Sequence, residues 1–431
     1  MHVNEGARAP GLPSLPDWYQ QGLQHVWRPY AQMKTAAPPL AIARAHGCRL
    51  ILADGRELID GIASWWTACH GYGDPHIRSA IERQLALMPH VMFGGLAHEQ
   101  ALTLAHRLAA ILPGDLDHVF FSESGSVAIE VAMKMAVQYW LNQGERNRTK
   151  LLAFSGAYHG DTTGTMALCD PHSGMHALFR GLLPEHHVVA LPRNEESIAA
   201  FTEVLERGHQ ELAAIIVEPL VQGAGGMRFH SPDVLQRLRA AADHYGLLLI
   251  FDEVFTGFGR TGSMFACEEA GVVPDIIALS KALTGGTLPL AATVARKRVF
   301  DRFWSDDPMH ALMHGPTYMA NALACAAANA SLDLFEWEPR LQQVANIGQA
   351  LALGLAPCRG LPGVKDVRVK GAIGVVELER IDDIEALRAR FVAEGVFIRP
   401  FGSIVYLTPP FTIRKDELAQ LTRAVVKVLG A

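Results

Sequence analysis

Two side chains that could do chemistry together follow apolar strands near the middle of the chain. The apolar run Leu247 to Phe251 ends in Asp252 and Glu253, and Lys281 comes shortly after the next apolar run. Open α/β sheets place their ligands at the carboxyl ends of their strands, so both groups are predicted to reach one site. Alone, an acid at a strand end is more often a solvated pair or a helix cap, and a lone lysine is nearly always a surface cation. The prediction of a site therefore rests on the two groups together.

An amine and a carboxylate at opposite ends of one flat ring are what pyridoxal 5′-phosphate (PLP) chemistry requires. The lysine forms an imine (a Schiff base) with the cofactor, and the acid keeps the pyridine nitrogen protonated. The cofactor's phosphate needs an anion site. The hydroxyls and backbone N–H groups of Ser124, Gly125 and Ser126 could supply it, just before a helix predicted from Val127. An ordinary serine N-cap would give the same local pattern.

Tyr158 begins a further segment on the same side of the predicted sheet, after the strand that ends at Phe154. Its ring could stack on a pyridine ring. A Tyr-His pair in a loop is, however, more often packing than catalysis.

Other motifs suggest other chemistries but lack the required context. Gly257 to Gly262 matches the dinucleotide fingerprint G-x-G-x-x-G, yet the acidic pair intervenes after the strand and Ser263 to Cys267 begins no long helix. The nineteen histidines include no H-E-x-x-H, and Ser124 lacks the first glycine of G-x-S-x-G. The sequence therefore predicts neither a metal site nor a dinucleotide site nor a serine hydrolase.

Composition favours a small-molecule ligand. The formal charge is -6, and the lysines and arginines are scattered, so we expect neither a nucleic-acid partner nor a membrane surface. The six cysteines form no Cys-x-x-Cys pair, which is typical of a reduced protein. The start of the chain resembles no secretory signal, and we expect a cytoplasmic location.

The elements that must position these residues follow an α/β pattern, in which short apolar runs alternate with amphipathic stretches. A helix is predicted to open at Ser231-Pro232-Asp233 and to run to about Tyr245. Parallel strands are predicted at His118–Phe121, Lys150–Phe154, Ala213–Val217, Leu247–Phe251, Asp275–Leu279 and Leu290–Ala295.

A chain of 431 residues exceeds the usual size of one hydrophobic core, so two packed domains are expected. We predict a large α/β domain over 63–330 and a smaller α+β domain over 331–431, which residues 1–62 join. The smaller domain's strands are predicted at Val364–Val369, Gly374–Leu378, Val396–Pro400 and Ile404–Leu407.

With these pieces in place, the sequence resembles the class III, fold-type I PLP aminotransferases. The family's hallmarks are similar to Asp252-Glu253-Val254 and Ser280-Lys281-Ala282, and the resemblance runs from about Val26 to the C-terminus. Further stretches resemble the branch of the family that aminates 8-amino-7-oxononanoate in biotin biosynthesis. They are Ser64 to Trp66, His90 to Gly95, Ser124 to Val127, Tyr158 to Thr162, Gly257 to Gly262, His314 to Thr317 and Arg399 to Gly402.

The resemblance implies a role for each matching residue. Lys281 is the implied Schiff-base lysine and general base, Asp252 lies against the pyridine nitrogen, and Tyr158 lies near the ring. The implied phosphate ligands are Gly125 and Ser126, and Thr317 reaches the phosphate in a neighbouring subunit. Pro316 is implied as a further cofactor-binding residue. The implied substrate-binding residues are Tyr30, Trp65, Trp66, Gly315, Arg399 and Phe401, with Arg399 on the far carboxylate of the keto substrate.

The implied activity is a ping-pong transamination in a homodimer with shared active sites, with S-adenosylmethionine as donor and 8-amino-7-oxononanoate as acceptor. Lysine as donor stays open. So do an ω-amino acid aminotransferase acting on ornithine or 4-aminobutyrate, an aminomutase of the same fold, and a PLP-binding protein without turnover. One departure is Arg28, where the family usually has histidine, and it bears on the shape of the pocket mouth.

Overall fold

A seven-stranded sheet lies at the centre of the structure, a computed structural model that describes residues 15–170 and 176–431. The strands of all the sheets, in chain order, are β1 (Ile42–His46), β2 (Arg49–Leu52), β3 (Glu57–Asp60), β4 (Leu116–Ser122), β5 (Lys150–Phe154), β6 (His187–Val189), β7 (Leu212–Val217), β8 (Val221–Gln222), β9 (Arg228–Phe229), β10 (Leu248–Asp252), β11 (Ile276–Leu279), β12 (Ala291–Arg296), β13 (Val364–Lys370), β14 (Ile373–Leu378), β15 (Val396–Phe397) and β16 (Ile404–Leu407).

Helices cover the faces of this sheet and also pack against the smaller sheets. They are α1 (Asp17–Leu23), α2 (Ala63–Trp66), α3 (Pro75–Leu87), α4 (Glu99–Ile111), α5 (Gly125–Leu141), α6 (Thr163–Met166), α7 (Glu195–Gly208), α8 (Pro232–Tyr245), α9 (Ala266–Ala270), α10 (Lys297–Phe300), α11 (Ala322–Trp337), α12 (Arg340–Leu355), α13 (Ile384–Ala393) and α14 (Lys415–Leu429). Within the described ranges, none of them is long and apolar enough to cross a membrane.

The central sheet has the order β4-β12-β11-β10-β7-β5-β6, and its strands from β11 to β6 run parallel. Strand β12 is antiparallel to both of its neighbours. The prediction of a parallel strand at Leu290–Ala295 is therefore wrong in direction. The connection from Leu279 to Ala291 is too short for the crossover helix that a parallel strand needs.

Apolar sequence explains why these strands lie inside. Every residue of β7 and β10 is buried, as expected for strands that helices cover on both faces. Helix α8 begins with Pro232 and ends before Gly246, whose φ of 62° is the left-handed conformation that favours glycine at a helix end. Because β10 and β11 are parallel, their carboxyl ends meet at one edge of the sheet, which confirms that Asp252 lies beside the start of the Lys281 turn.

Two smaller sheets contain the beginning and end of the chain. Strands β13, β14 and β16 form one antiparallel sheet, and β15 pairs with β3 to complete a second sheet with β1 and β2. The predicted divisions at 62/63 and 330/331 stay a proposal, and residues 1–14 of the first segment lie outside the described residues. The α/β class with a mostly parallel sheet is confirmed.

Candidate active site

The carboxylate of Asp252 lies at the buried end of β10 and binds a histidine. Asp252 Oδ2 is 2.7 Å from His159 Nδ1, and both side chains are almost fully buried. Burial disfavours a charged imidazole, but the hydrogen bond and charge of Asp252 outweigh it, so the pKa of His159 is raised. Asp252 Oδ1 accepts from the backbone N–H of Val254. The carboxylate is thus fixed in direction by both of its oxygens.

A second buried acid, Glu218, lies close to this pair. Its carboxylate accepts from the backbone N–H groups of Tyr158 at 3.0 Å and Gly223 at 2.9 Å. Burial and the nearby Asp252 raise the pKa of Glu218 to about 7, against the opposing charge of His159. Glu218 therefore anchors the loop that carries Tyr158 and adds negative potential to the site.

Lys281 follows β11 at the start of a 3₁₀ turn and takes a backbone φ of 43°, which is unusual for a residue with a side chain. Its Nζ lies 4.7 Å from the centre of the Trp66 ring. Among the described residues, no hydrogen-bond or ion-pair partner contacts that amine. Burial lowers the pKa of Lys281, while Asp252 and Glu218 act in the opposite direction. A neutral, nucleophilic amine is therefore easier to reach here than on the surface.

The predicted phosphate segment forms the start of α5. Ser124 caps the helix by accepting from the Val127 N–H, and the Ser126 hydroxyl accepts from the Asp161 N–H at 3.3 Å. A Cβ on Gly160 would lie 2.1 Å from Ser126 Oγ, so only glycine fits there. The first N–H groups of a helix have no intrahelical acceptor and attract anions, which suits this turn to a phosphate.

Three side chains from two distant segments meet beside this turn. The Asp161 carboxylate accepts hydrogen bonds from the hydroxyls of both Tyr30 and Tyr158, and the two hydroxyls are 3.2 Å apart. The Tyr158 ring stacks on His176 at a centroid distance of 6.0 Å. Tyr30 thus bridges the N-terminal segment to the central sheet.

Arg399 lies at the same opening as Tyr30 and Trp65. Its guanidinium lies over the Trp65 ring at 4.7 Å, and Trp65 is edge-on to Tyr30 at 6.2 Å. These three residues line a cavity of about 1430 Å³ between the N-terminal segment and α13. The cavity wall is largely apolar and aromatic, with a cation that can receive a carboxylate.

The remaining predicted residues divide into two groups. Trp66 is buried against Phe255 at 4.2 Å, and Phe401 lies 5.5 Å from Tyr406 and lines a separate cavity of about 450 Å³ with Tyr158. The loop containing Gly315, Pro316 and Thr317 is elsewhere: its carbonyl at Thr317 contacts His90, and no described contact joins it to Lys281.

Sequence reasoning did not assign His159, Glu218 and Asp161 to the site. His159 and Asp161 stand beside Tyr158 in the sequence, and that proximity was the available signal. Glu218 follows strand β7 directly, at the same edge of the sheet as Asp252. Within the described ranges, no group of three or more His, Cys, Asp and Glu side chains is placed to hold a metal ion.

A mixed sheet flanked by helices, with a lysine after one strand and an acid ending its neighbour, is the fold-type I architecture of PLP-dependent aminotransferases. The model of the family described as "Aminotransferase class-III" matches residues 30–429. The chain belongs to this family, and it is an aminotransferase.

Individual relatives are similar over nearly the whole chain. An adenosylmethionine-8-amino-7-oxononanoate aminotransferase of Mycobacterium leprae is 45% identical over 415 residues, covering 94% of this chain and 95% of the relative. The crystal structure of the enzyme with the same name from Methanocaldococcus jannaschii superposes with a TM-score of 0.90 at 31% identity, covering 95% of this chain and 98% of that one. An amine transaminase from an uncultivated Pseudomonas species, solved in a PLP-bound form, has a TM-score of 0.86 at 33% identity, covering 94% and 98%.

Proposed function

We propose that this protein is a homodimeric PLP enzyme that transfers an amino group from S-adenosylmethionine to 8-amino-7-oxononanoate, a step of biotin biosynthesis. The observation that carries the substrate assignment is Arg399 above Trp65, beside Tyr30, at an apolar cavity. A keto acid with a long aliphatic chain and a terminal carboxylate matches that combination. The names of the relatives from M. leprae and M. jannaschii support the same reaction.

The residues present fit PLP. Lys281 has an amine without a described partner, Asp252 has a carboxylate held in place by His159, and Ser126 lies in a helix-start turn that admits no added Cβ at Gly160. In this proposal they hold the aldehyde carbon, the pyridine nitrogen and the phosphate, respectively, and Gly125 adds a phosphate contact. PLP, when bound, supplies an electron sink for the carbon that loses a proton.

The side chains of the protein then have separate tasks. Lys281, with its lowered pKa, carries the proton between carbon atoms as the general base. The carboxylate of Asp252, held in place by His159, places a fixed negative charge at the floor of the site, which favours a protonated ring nitrogen. Tyr158 and Phe401 line the 450 Å³ cavity, and we assign Tyr158 to the ring face and Phe401 with Trp66 to the substrate wall.

The shared site of the proposed homodimer rests on the loop that contains Gly315, Pro316 and Thr317. Thr317 is exposed and is not joined to Lys281 by any described contact in its own chain. Large apolar side chains near it in the sequence, or near its contact His90, are also exposed. They include Met92, Met309, Met313 and Tyr318. Such a surface suits contact with a second copy, whose phosphate Thr317 would reach, with Pro316 beside the cofactor and Gly315 against the substrate.

Mixing two inactive variants tests this sharing. Lys281→Ala and Thr317→Asp remove different halves of each site, so a random mixture should regain about a quarter of the wild-type sites, all of them in mixed dimers. The control mixture pairs Lys281→Ala with Asp252→Asn, which lie in the same half and should regain nothing. If the first mixture also regains nothing after subunit exchange, the sharing is contradicted.

The whole proposal is tested by the visible spectrum of the PLP-loaded protein. Adding S-adenosylmethionine without an acceptor should remove the cofactor's visible band, and 8-amino-7-oxononanoate should restore it. If S-adenosylmethionine leaves the band unchanged and lysine, ornithine or 4-aminobutyrate removes it, that compound is the donor instead. If the protein develops no band with PLP, the proposal is wrong.

The proposed location is the cytoplasm, which the six buried free thiols support.

A further inference from the structure

A buried line of hydrogen bonds leads from α12 to the turn that begins with Lys281. Arg340 Nε donates to His70 Nδ1 at 3.1 Å, His70 Nε2 lies 3.1 Å from Ser331 Oγ, and Ser331 Oγ donates to the Ala282 carbonyl at 3.4 Å. All four residues are buried. None of them belongs to the site described above.

The direction of each bond in this line is determined by chemistry. An arginine can only donate, so His70 Nδ1 must accept, and a neutral imidazole then has its proton on Nε2 and donates it to Ser331. Burial and the charge of Arg340 lower the pKa of His70 to about 3, so the ring stays neutral. The Ser331 hydroxyl, having accepted from His70, directs its own proton to Ala282.

The turn that receives this line is strained and closely packed. Lys281 has a φ of 43°, and the Ala282 carbonyl also accepts from the Gly285 N–H at 2.9 Å. A Cβ on Gly285 would lie 2.7 Å from Ile77 Cδ1 and 3.2 Å from the His70 ring. A backbone in this sparsely populated region persists only when its surroundings hold it there.

We propose that His70 is a positioning residue for Lys281, because it connects Arg340 and Ser331 to the Ala282 carbonyl and so holds the turn that directs the lysine amine into the site. The inference rests on the proposed function, in which Lys281 bonds to PLP. It assigns His70 no contact with cofactor or substrate.

The test compares covalent and non-covalent cofactor binding by the apoprotein. The Lys281 amine condenses with the PLP aldehyde, a C=N bond forms, water leaves, and the visible band reports the rate. Pyridoxamine phosphate has no aldehyde, so quenching of tryptophan fluorescence reports its binding independently of Lys281. If Lys281 is poorly positioned, PLP capture slows and the binding of pyridoxamine phosphate stays unchanged.

Two substitutions of His70 separate its two bonds. His70→Asn keeps an acceptor near Nδ1 for Arg340 but removes the donor to Ser331, and PLP capture should slow about tenfold or more. His70→Gln keeps a donor near Nε2 and should stay within a few-fold of wild type. Ser331→Ala should match His70→Asn and takes its place if that variant does not fold. Affinity for pyridoxamine phosphate should not change in any of them.

Wild-type capture rates in His70→Asn and Ser331→Ala would overturn the inference while leaving the proposed function intact. Equal losses of PLP capture and pyridoxamine phosphate affinity would also overturn it, because they indicate general damage to the site. Failure of the wild-type protein to capture PLP would instead reject the proposed function, and this inference with it.

Discussion

The site has two regions with different physical character. The floor, defined as Asp252, His159, Glu218 and Lys281, lies at strand ends, and its two acids and histidine are no more than 5% exposed. The mouth, defined as Tyr30, Trp65, Asp161 and Arg399, combines loop residues with Trp65 of the short helix α2 and is far more open, with Tyr30 at 56% and Trp65 at 36%. Charges interact strongly in the buried floor and weakly in the wetter mouth. We therefore expect substitutions in the floor to change the chemical step and substitutions in the mouth to change substrate binding.

The largest expected effect comes from the floor's amine. Lys281→Ala should abolish steady turnover, because no other described side chain of the floor can serve as an amine nucleophile and base. Turnover assays with both substrates, alongside thermal melting, measure activity and fold separately. Lys281→Arg is the matched control: it keeps the positive charge near Asp252 and should be equally inactive. Appreciable steady turnover by either variant would break the assignment.

A smaller but still large effect is expected for the floor's acid. Asp252→Asn keeps a hydrogen-bond acceptor for His159 but loses the charge, and kcat should fall roughly 10²-fold or more with little change in KM. Glu218→Gln replaces a buried acid that does not bond to His159 and whose pKa of about 7 leaves it only partly charged at neutral pH, so it should cost less. Equal losses in the two variants would mean that total charge, rather than the Asp252 position, controls the chemistry.

The same Asp252→Asn variant should change the dependence of stability on pH. In the wild type the raised pKa of His159 contributes stability that is present below the unfolded value of about 6.5 and is lost as pH rises through the folded value. Without the charge of Asp252, burial lowers the pKa of His159, so the variant loses stability as pH falls below about 6.5. The difference in Tm between the two proteins should widen from pH 8 to pH 5.5. A constant difference would contradict the pairing.

In the mouth, Arg399→Ala should mainly weaken the keto substrate. Loss of a charge-assisted contact is worth about 1.5–3 kcal/mol, which corresponds to a KM higher by roughly tenfold to a hundredfold, with a modest change in kcat. Arg399→Lys keeps the charge but loses the planar fork and the stacking on Trp65. Its KM should therefore lie between those of the wild type and Arg399→Ala. An unchanged KM for 8-amino-7-oxononanoate in Arg399→Ala would remove this residue from the site.

The smallest effect is expected at the rim of the mouth. Arg28 donates to the carbonyls of Ala37 at 2.6 Å and Ala36 at 3.3 Å, which ties down the segment that contains Tyr30 with its φ of 52°. Arg28→Ala should raise KM about two- to fivefold through loss of these bonds, with kcat unchanged. Arg28→His, the residue usual in the family, should lie close to wild type. A fall in kcat would show that the rim affects the chemistry after all.

Local sequence predicted much of the architecture. The strands Lys150–Phe154 and Ile404–Leu407 and the helix Pro232–Tyr245 occur with the predicted bounds, because apolar runs and helix-start residues act over short distances. Strands β1 to β3, β6, β8 and β9 were missed, since each has only two to five residues, and β3 and β6 pair with the distant strands β15 and β5. The roles of the predicted site residues stay proposals.

By itself, the sequence determined the family, the α/β class and the juxtaposition of Asp252 with the Lys281 segment, since consecutive apolar runs ending in polar residues encode neighbouring parallel strands. Only the tertiary structure decided that His159 binds Asp252, that Asp161 joins Tyr30 to Tyr158, and that Arg340 reaches the Lys281 turn through His70 and Ser331. The physical reason is that these contacts join segments far apart in the chain. Their partners are selected by packing of the whole molecule, and no local pattern of residue types records that packing.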